Sequence, residues 1–305
     1  MKTSTRTGRS PVAHEPGRPA APGRQQAVES LLKETGRGIV PVRKTFVQMG
    51  HGDTTAPGPM ASFITGGDSR GLEAYLFAHA MASSSRPYDV SLDAGTWVRV
   101  LGIGETKAGV IDPDNPSALS AVSKVFKRIE DRKLITRSRV GRKSKITLLN
   151  ESGGGRSYRR PTKGRTRGNR WLQLPHAYWT AGDYRALTLP AKAVLLVALT
   201  LRDGFELPER CGPEWYGISP DTVGEGIREL IKRDLLNREF DWVRADRAAH
   251  GWTQVHRYTL LGPYSVAART AAARGRDGED EIDVDDDLDA GLHLVVTDDA
   301  EAQPA

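Results

Sequence analysis

The sequence predicts a mainly α fold with small β wings, an α+β arrangement of two tandem units joined by a basic linker, and three observations predict it. At 305 residues the chain has room for two ordinary domains, each able to bury its own core. Two stretches, 40–150 and 171–265, repeat the same succession of patterns in the same order. The segments around them, 1–39, 151–170 and 266–305, are too rich in Gly, Pro or charge to pack.

Residues 1–24, rich in Pro, Gly and Arg, bury too little apolar surface to offset the entropy of ordering. They read as a disordered basic arm, and their positive charge lacks the apolar h-region of a signal peptide. "QQAVESLLKE" ends this segment as a short helix. The first unit then begins with "TFVQM", matched in the second by "WLQL"; "PMASFITGG" matches "PHAYWTAGD", setting Phe63 against Trp179. "EAYLFAHAM" matches "KAVLLVALT", a nearly all-apolar helix and therefore a central one. Short extended pieces, "YDVSL" and "GFELP", lead to second helices, "DAGTWVRVLGI" and "PERCGPEWYGI", that end in the same Gly-Ile. The first unit inserts about fourteen residues, "GETKAGVIDPDNPS", before its third helix.

The third helices run together without a gap. "AVSKVFKRIEDRKLI" on "TVGEGIRELIKRDLL" places Val122 on Val223, Phe126 on Ile227, Ile129 on Leu230, Arg132 on Arg233 and Leu134 on Leu235. In the second copy Gly217 supplies a turn, Ser219 a cap and Pro220 the first helical position. Each unit closes with two strands joined by a polar turn: "ITRSRVGRKSKITLL" in the first, "LLNREFDWV" and "VHRYTLLG" in the second.

Charge divides along the chain. From Asp277 onward there are 12 Asp and Glu and no Lys or Arg, so residues 1–276 hold 44 basic and 26 acidic side chains, a net +18. A basic body favours a polyanionic partner, because each cation set against a phosphate releases a counterion. The acidic end reads as a disordered, solubilising tail; its island "LHLVV" also suits a protein partner. The single cysteine, Cys211, excludes an internal disulfide and suits the cytoplasm. The longest apolar run, "AVLLVAL" at 193–199, falls far short of the ~20 residues that span a bilayer, so no membrane partner is expected.

Order and content, helix, strand, helix, helix and hairpin, resemble the winged helix-turn-helix family, most closely at "GISPDTVGEGIRELIKRDLL". The resemblance implies that the third helix meets base edges in the major groove and that the hairpin wing meets backbone or minor groove. Two such units in tandem also resemble plasmid replication initiators.

Helical spacing in the first copy points the same way by itself. With Val122, Val125, Phe126 and Ile129 facing the core, Ser120, Lys124 and Lys127 fall on the opposite face and Ser123 at its edge. Hydroxyls and cations donate to phosphate oxygens and to guanine O6 and N7. The hairpin adds Arg137 and Arg139 on its first strand and Arg142, Lys143 and Lys145 around the turn. In the second copy the matching face reads Asp221, Gly224, Glu225, Arg228 and Lys232, and its wing carries Arg244, Arg247, His250, Trp252 and Arg257. Two early acids repel phosphate, so this copy suits either base contact through cytosine N4 or a dimerisation role. Linker residues Arg160, Lys163, Arg165 and Arg167, interleaved with Gly, suit either a plain spacer or a minor-groove arm.

Enzyme signatures are missing. There is no phosphate-binding Gly-rich loop, "GIGETKAG" fails the dinucleotide spacing, and no His-Glu-x-x-His or paired Cys occurs, so no cofactor or metal is expected. His79 falls within a helix and His176 beside Tyr178 and Trp179 reads as packing; Cys211 reads as a buried or incidental thiol. The leading expectation is a cytoplasmic, nucleoid-associated bacterial regulator that binds specific double-stranded DNA, alone or as a homodimer. The alternatives are an initiator that binds origin repeats and a protein-interaction scaffold.

Overall fold

The computed structural model describes residues 23–50, 54–141, 143–161 and 170–274. Helix α1 (Arg24–Glu34) buries Ala27, Val28 and Leu32 along one stripe. Strand β1 (Ile39–Arg43) follows, then β2 (Gln48–Met49), which pairs with β3 (Ala56–Pro57). Helix α2 (Met60–Thr65) leads to α3 (Ser69–Met81), whose N-cap Asp68 accepts from the Gly71 amide at 3.0 Å. Strand β4 (Asp89–Leu92) and helix α4 (Ala94–Leu101) come next, the helix stopped by Gly102 at φ 61°, a left-handed position that favours glycine. Helix α5 (Pro116–Asp131) starts at Asn115, whose side chain accepts from the Ser117 and Ala118 amides. Strands β5 (Ile135–Val140) and β6 (Lys143–Leu148) form a hairpin, and β4 joins it in the order β4-β6-β5.

The second half begins at β7 (Trp171–Pro175), followed by the short helices α6 (Ala177–Thr180) and α7 (Asp183–Ala186). Helix α8 (Leu189–Ala198) is capped by Thr188 and buries nearly every side chain. After α9 (Gly212–Tyr216), α10 (Pro220–Lys232) is capped by Ser219, as its spacing predicts. Strands β8 (Leu236–Arg244) and β9 (Trp252–Leu260) make a nine-residue ribbon, and α11 (Val266–Arg274) ends the described chain.

A helix followed by an antiparallel hairpin is therefore present twice. The two junctions are alike in detail: Lys133 and Asp234 both adopt positive φ, 57° and 56°. Leu134 and Leu235 then donate back to Ile129 and Leu230 at 3.3 and 3.0 Å. The fold class predicted from sequence is nevertheless corrected. The chain is an α+β structure with, among the described residues, eleven α-helices and four small antiparallel sheets, and two tandem winged-helix domains on a flexible tether are not what it forms.

Long-range pairing is the reason. Strand β1 pairs antiparallel with β7, from Ile39 opposite Pro175 to Arg43 opposite Trp171, and this pair stitches one half to the other. A single buried cluster then runs from Val28 to Tyr264. Its aromatic spine crosses the halves: Trp97 of α4 meets Phe126 of α5 at 4.7 Å and Phe77 of α3 at 5.9 Å, and Phe77 meets Trp179 of α6 at 6.0 Å. Glu73 of α3 accepts from Tyr178 Oη at 2.5 Å and from Lys192 Nζ of α8 at 2.7 Å, all three side chains buried.

Segments expected to lie outside the two units contribute to this core. Besides α1, the short helix expected at "QQAVESLLKE", which ties itself to α6 through Gln25 Nε2 donating to the Trp179 carbonyl at 3.0 Å, residue Glu151 of the expected linker is wholly buried against Arg43 at 2.8 Å. Tyr158 is buried as well. Of the expected acidic tail, residues 266–274 form α11, whose buried Arg269 donates to the Tyr264 carbonyl at 2.9 Å. Residues 275–305, with "LHLVV", and residues 1–22 of the arm lie outside the described residues.

Helices α8 and α10 approach closely at Gly226, where a Cβ would meet the Pro190 carbonyl oxygen and Val194 Cγ2, each at 2.5 Å. G226A is expected to force the helices apart and lower stability by about 1–3 kcal/mol. The check is a lower urea midpoint with an unchanged slope; an unmoved midpoint would show slack between α8 and α10.

Candidate nucleic-acid interface

Helix α5 turns its apolar stripe, Val122, Val125, Phe126 and Ile129, into the core. That leaves Ser120, Ser123, Lys124 and Lys127 exposed, as helical spacing predicts. Several cations on and after this helix are committed to internal partners. Lys127 pairs with Asp131 one turn on. Arg128 and Arg132 both reach Asp68, at 2.6 and 2.9 Å, and Arg132 lies 4.2 Å over the Phe63 ring. Burial works to raise the Asp68 pKa, but hydrogen bonds and charge from Arg128, the Gly71 amide and the Arg132 charge outweigh it, so the carboxyl sits below its ordinary value.

The hairpin divides its cations between two faces. Alternation places Arg137 and Arg139 on the side of Ile135, Ile146 and Leu148, toward α5, and Lys143 and Lys145 on the outer side. Arg137 is half-buried: its Nε donates to Glu130 Oε2 at 2.9 Å and its Nη1 to the Ser123 carbonyl at 3.1 Å. Lys145 pairs with Asp89 of β4 at 3.0 Å. Lys127, Arg137 and Lys145, expected from the sequence as DNA contacts, each have a carboxylate partner within the chain. Among the described residues Lys124, Arg139 and Lys143 are exposed cations without a carboxylate partner, and Lys124 and Arg139 lie with Ser120 and Ser123 on the α5 side.

The second unit differs. On α10, Asp221, Glu225, Arg228 and Lys232 are exposed, a face of mixed sign. Gly224, expected among them, is instead buried, with the Glu209 carboxylate 3.0 Å from where its Cβ would stand. Arg244 is exposed and pairs with Asp246 at 2.8 Å; Arg247 is also exposed. Arg257 reaches Glu206 and Asp241, both at 3.3 Å. In the expected linker, Arg160 is half-buried, donates to the Ser83 carbonyl at 3.2 Å and lies over the Tyr88 ring, a placement that serves packing better than a free minor-groove arm. Arg142, Lys163, Arg165 and Arg167 lie outside the described residues.

Cys211 is partly exposed, and burial pushes its thiol pKa up, the opposite of what a nucleophile needs. Among the described residues no group of three or more His, Cys, Asp or Glu is placed to hold a metal ion, and no helix is long and apolar enough to cross a membrane. Comparison with protein-family models, with characterised proteins and with solved structures finds no match to this chain.

Proposed function

We propose that the chain binds double-stranded DNA through α5 and the β5–β6 hairpin, and acts in the cytoplasm, on the nucleoid, as a sequence-specific regulator of transcription. One observation carries this reading. The two carboxylates at the end of α5, Glu130 and Asp131, are already occupied by Arg137 and Lys127, so the strip of Ser120, Ser123, Lys124 and Arg139 presents hydroxyls and cations to an incoming phosphate with little opposing charge. Donors of this kind position a protein on the backbone and read guanine when they reach the groove. The mixed face of α10 makes the second unit a poorer reader of bases.

Titration against genomic fragments over a range of salt concentrations tests this. Affinity should fall on a log–log plot with a slope of about 0.9 per phosphate neutralised; absence of binding at low salt would refute the proposal. K124A/R139A is expected to weaken duplex binding by about 1–3 kcal/mol for each base that is no longer read, and to flatten the salt slope by about one for each phosphate set free. Unchanged binding would remove α5 from the interface. Mapping the recovered fragments separates roles: promoters support the regulator, and iterated repeats at an origin would replace it with an initiator.

A further inference from the structure

The β8–β9 ribbon has one face with no core to cover it. At its root, Leu236, Tyr258 and Leu260 are buried, and the ribbon is held there by Phe205, which exchanges backbone hydrogen bonds with Tyr258 at 3.1 and 2.8 Å. The same face continues outward through Arg238, Phe240, Trp242 and Arg244 on β8, opposite Tyr258, His256, Gln254 and Trp252 on β9. Phe240, Trp242 and Trp252 are 62, 64 and 54 % exposed, three of the five large apolar side chains so exposed among the described residues. Large rings on water at this density mark a binding surface.

We infer that this face is a site for single-stranded nucleic acid, stacking unpaired bases on Phe240, Trp242 and Trp252 while Arg238, and Arg244 by exchanging its exposed Asp246 partner, attend the phosphates. Charge and spacing both favour that occupant. On the paired strands the aromatic face carries Arg238, Arg244 and His256 and no acid, whereas Glu239 and Asp241 alternate onto the other face; of the two arginines, Arg244 pairs with Asp246 in the turn. Phe240 and Trp242 are two residues apart on one strand, about 6.7 Å by strand rise. That is about twice the ~3.4 Å step between stacked nucleotides, leaving room for one base between the two rings. Aromatic platforms edged with cations are the usual chemistry of single-strand binding, since every base offers a π-face. A second copy is a poorer occupant: an isologous contact sets the same patch on itself and would bring Arg238 and Arg244 toward their own kind.

The test uses the full chain and two labelled probes, a 20-nucleotide oligo-dT and a 20-base-pair duplex, followed by fluorescence anisotropy at low salt. Wild type should bind the oligo-dT. W242A and W252A should each weaken that binding roughly tenfold, F240A/W242A/W252A should abolish it, and W242F should retain most of it, with duplex affinity within about twofold throughout. The rings are exposed, so melting temperatures should barely move; if the triple variant does unfold, the single variants decide. K124A/R139A should do the reverse, losing duplex and keeping oligo-dT, so the two sites fail separately. No binding of oligo-dT by wild type, or equal binding by wild type and the Trp variants, would overturn the inference. A wild-type dimer that the Trp variants split, with oligo-dT binding unaltered, would also overturn it and assign the ribbon to self-association.

Discussion

Replacing Glu73 by Leu is expected to cost about 3–5 kcal/mol of stability, a large share of the roughly 5–15 kcal/mol typical of a folded protein. Glu73 sits in α3 of the first half, and its Oε1 serves two groups of the second, Tyr178 Oη and Lys192 Nζ. Without it, the buried Lys192 ammonium is left donating to the Tyr184 carbonyl at 2.7 Å, and a buried cation without its counter-charge is the costly half of a broken pair. The pair itself is not optimal, since among the described residues Glu73 Oε2 has no hydrogen-bond partner. E73L/K192M should therefore recover much of the loss, as apolar replacements of buried ion pairs often do. Urea unfolding followed by both tryptophan fluorescence and circular dichroism checks this. A single transition that shifts as a whole is expected, because the pair bolts the halves together; two transitions, only one of them moved, would show the halves to be independent after all.

Lowering the pH from 7 to 5 is expected to remove about 2 kcal/mol of stability through His79 alone. The ring is fully buried, edge-on to Tyr75 at 4.7 Å and to Tyr158 at 5.4 Å. Burial first, then the charges of Arg160, Arg43 and Arg37, push its pKa down to about 3. The unfolded chain takes up this proton near pH 6.5 and the folded chain near 3. The neutral ring's contribution is thus complete above pH 6.5 and lost as pH falls from 6.5 toward 3, at about 1.4 kcal/mol per pH unit. His176, lowered to about 4 by burial and by Arg37, acts in the same direction. Glu151, raised by burial against the pull of Arg43, acts in the opposite one, more stabilising when protonated. Urea midpoints at pH 7, 6 and 5 for wild type and H79F isolate the His79 share: the variant should lose the steeper part of the slope. Parallel curves would mean that the ring is not held neutral.

Local pattern made α5 and α10 legible. Their stripes, the Ser219 cap and Pro220, and the way each is followed by a hairpin could be read directly, and the burial of Val122, Val125, Phe126 and Ile129 follows the predicted register. The β1–β7 pair was not legible, because both strands are only five residues long, β1 is buried at four of its five positions and shows no alternation, and more than 120 residues separate it from β7. Once that pairing is missed, the helix before β1 reads as an arm and the helix after β9 as the start of a tail. The same limit governs the candidate interface. Exposure of Lys124 and Lys127 follows from a helical wheel, and so does the i,i+4 pairing of Lys127 with Asp131. The capture of Arg137 by Glu130 across a turn, and of Lys145 by Asp89 from another strand, depends on tertiary placement that spacing does not encode. On the β8–β9 ribbon the alternation of Phe240 and Trp242 was visible, but whether a core covered them was not.

The strand pair also has a mechanical meaning. Arg43 lies opposite Trp171, and the Lys44 amide donates to the Arg170 carbonyl at 2.8 Å, so residues 44–170 leave and rejoin the backbone path at one seam. Tension between the two ends of the chain is carried across that seam and bypasses the α5 head. A load on either half therefore reaches the other through these five residue pairs together with the Phe77–Trp179 and Glu73–Lys192 contacts, so the seam and the core resist it side by side.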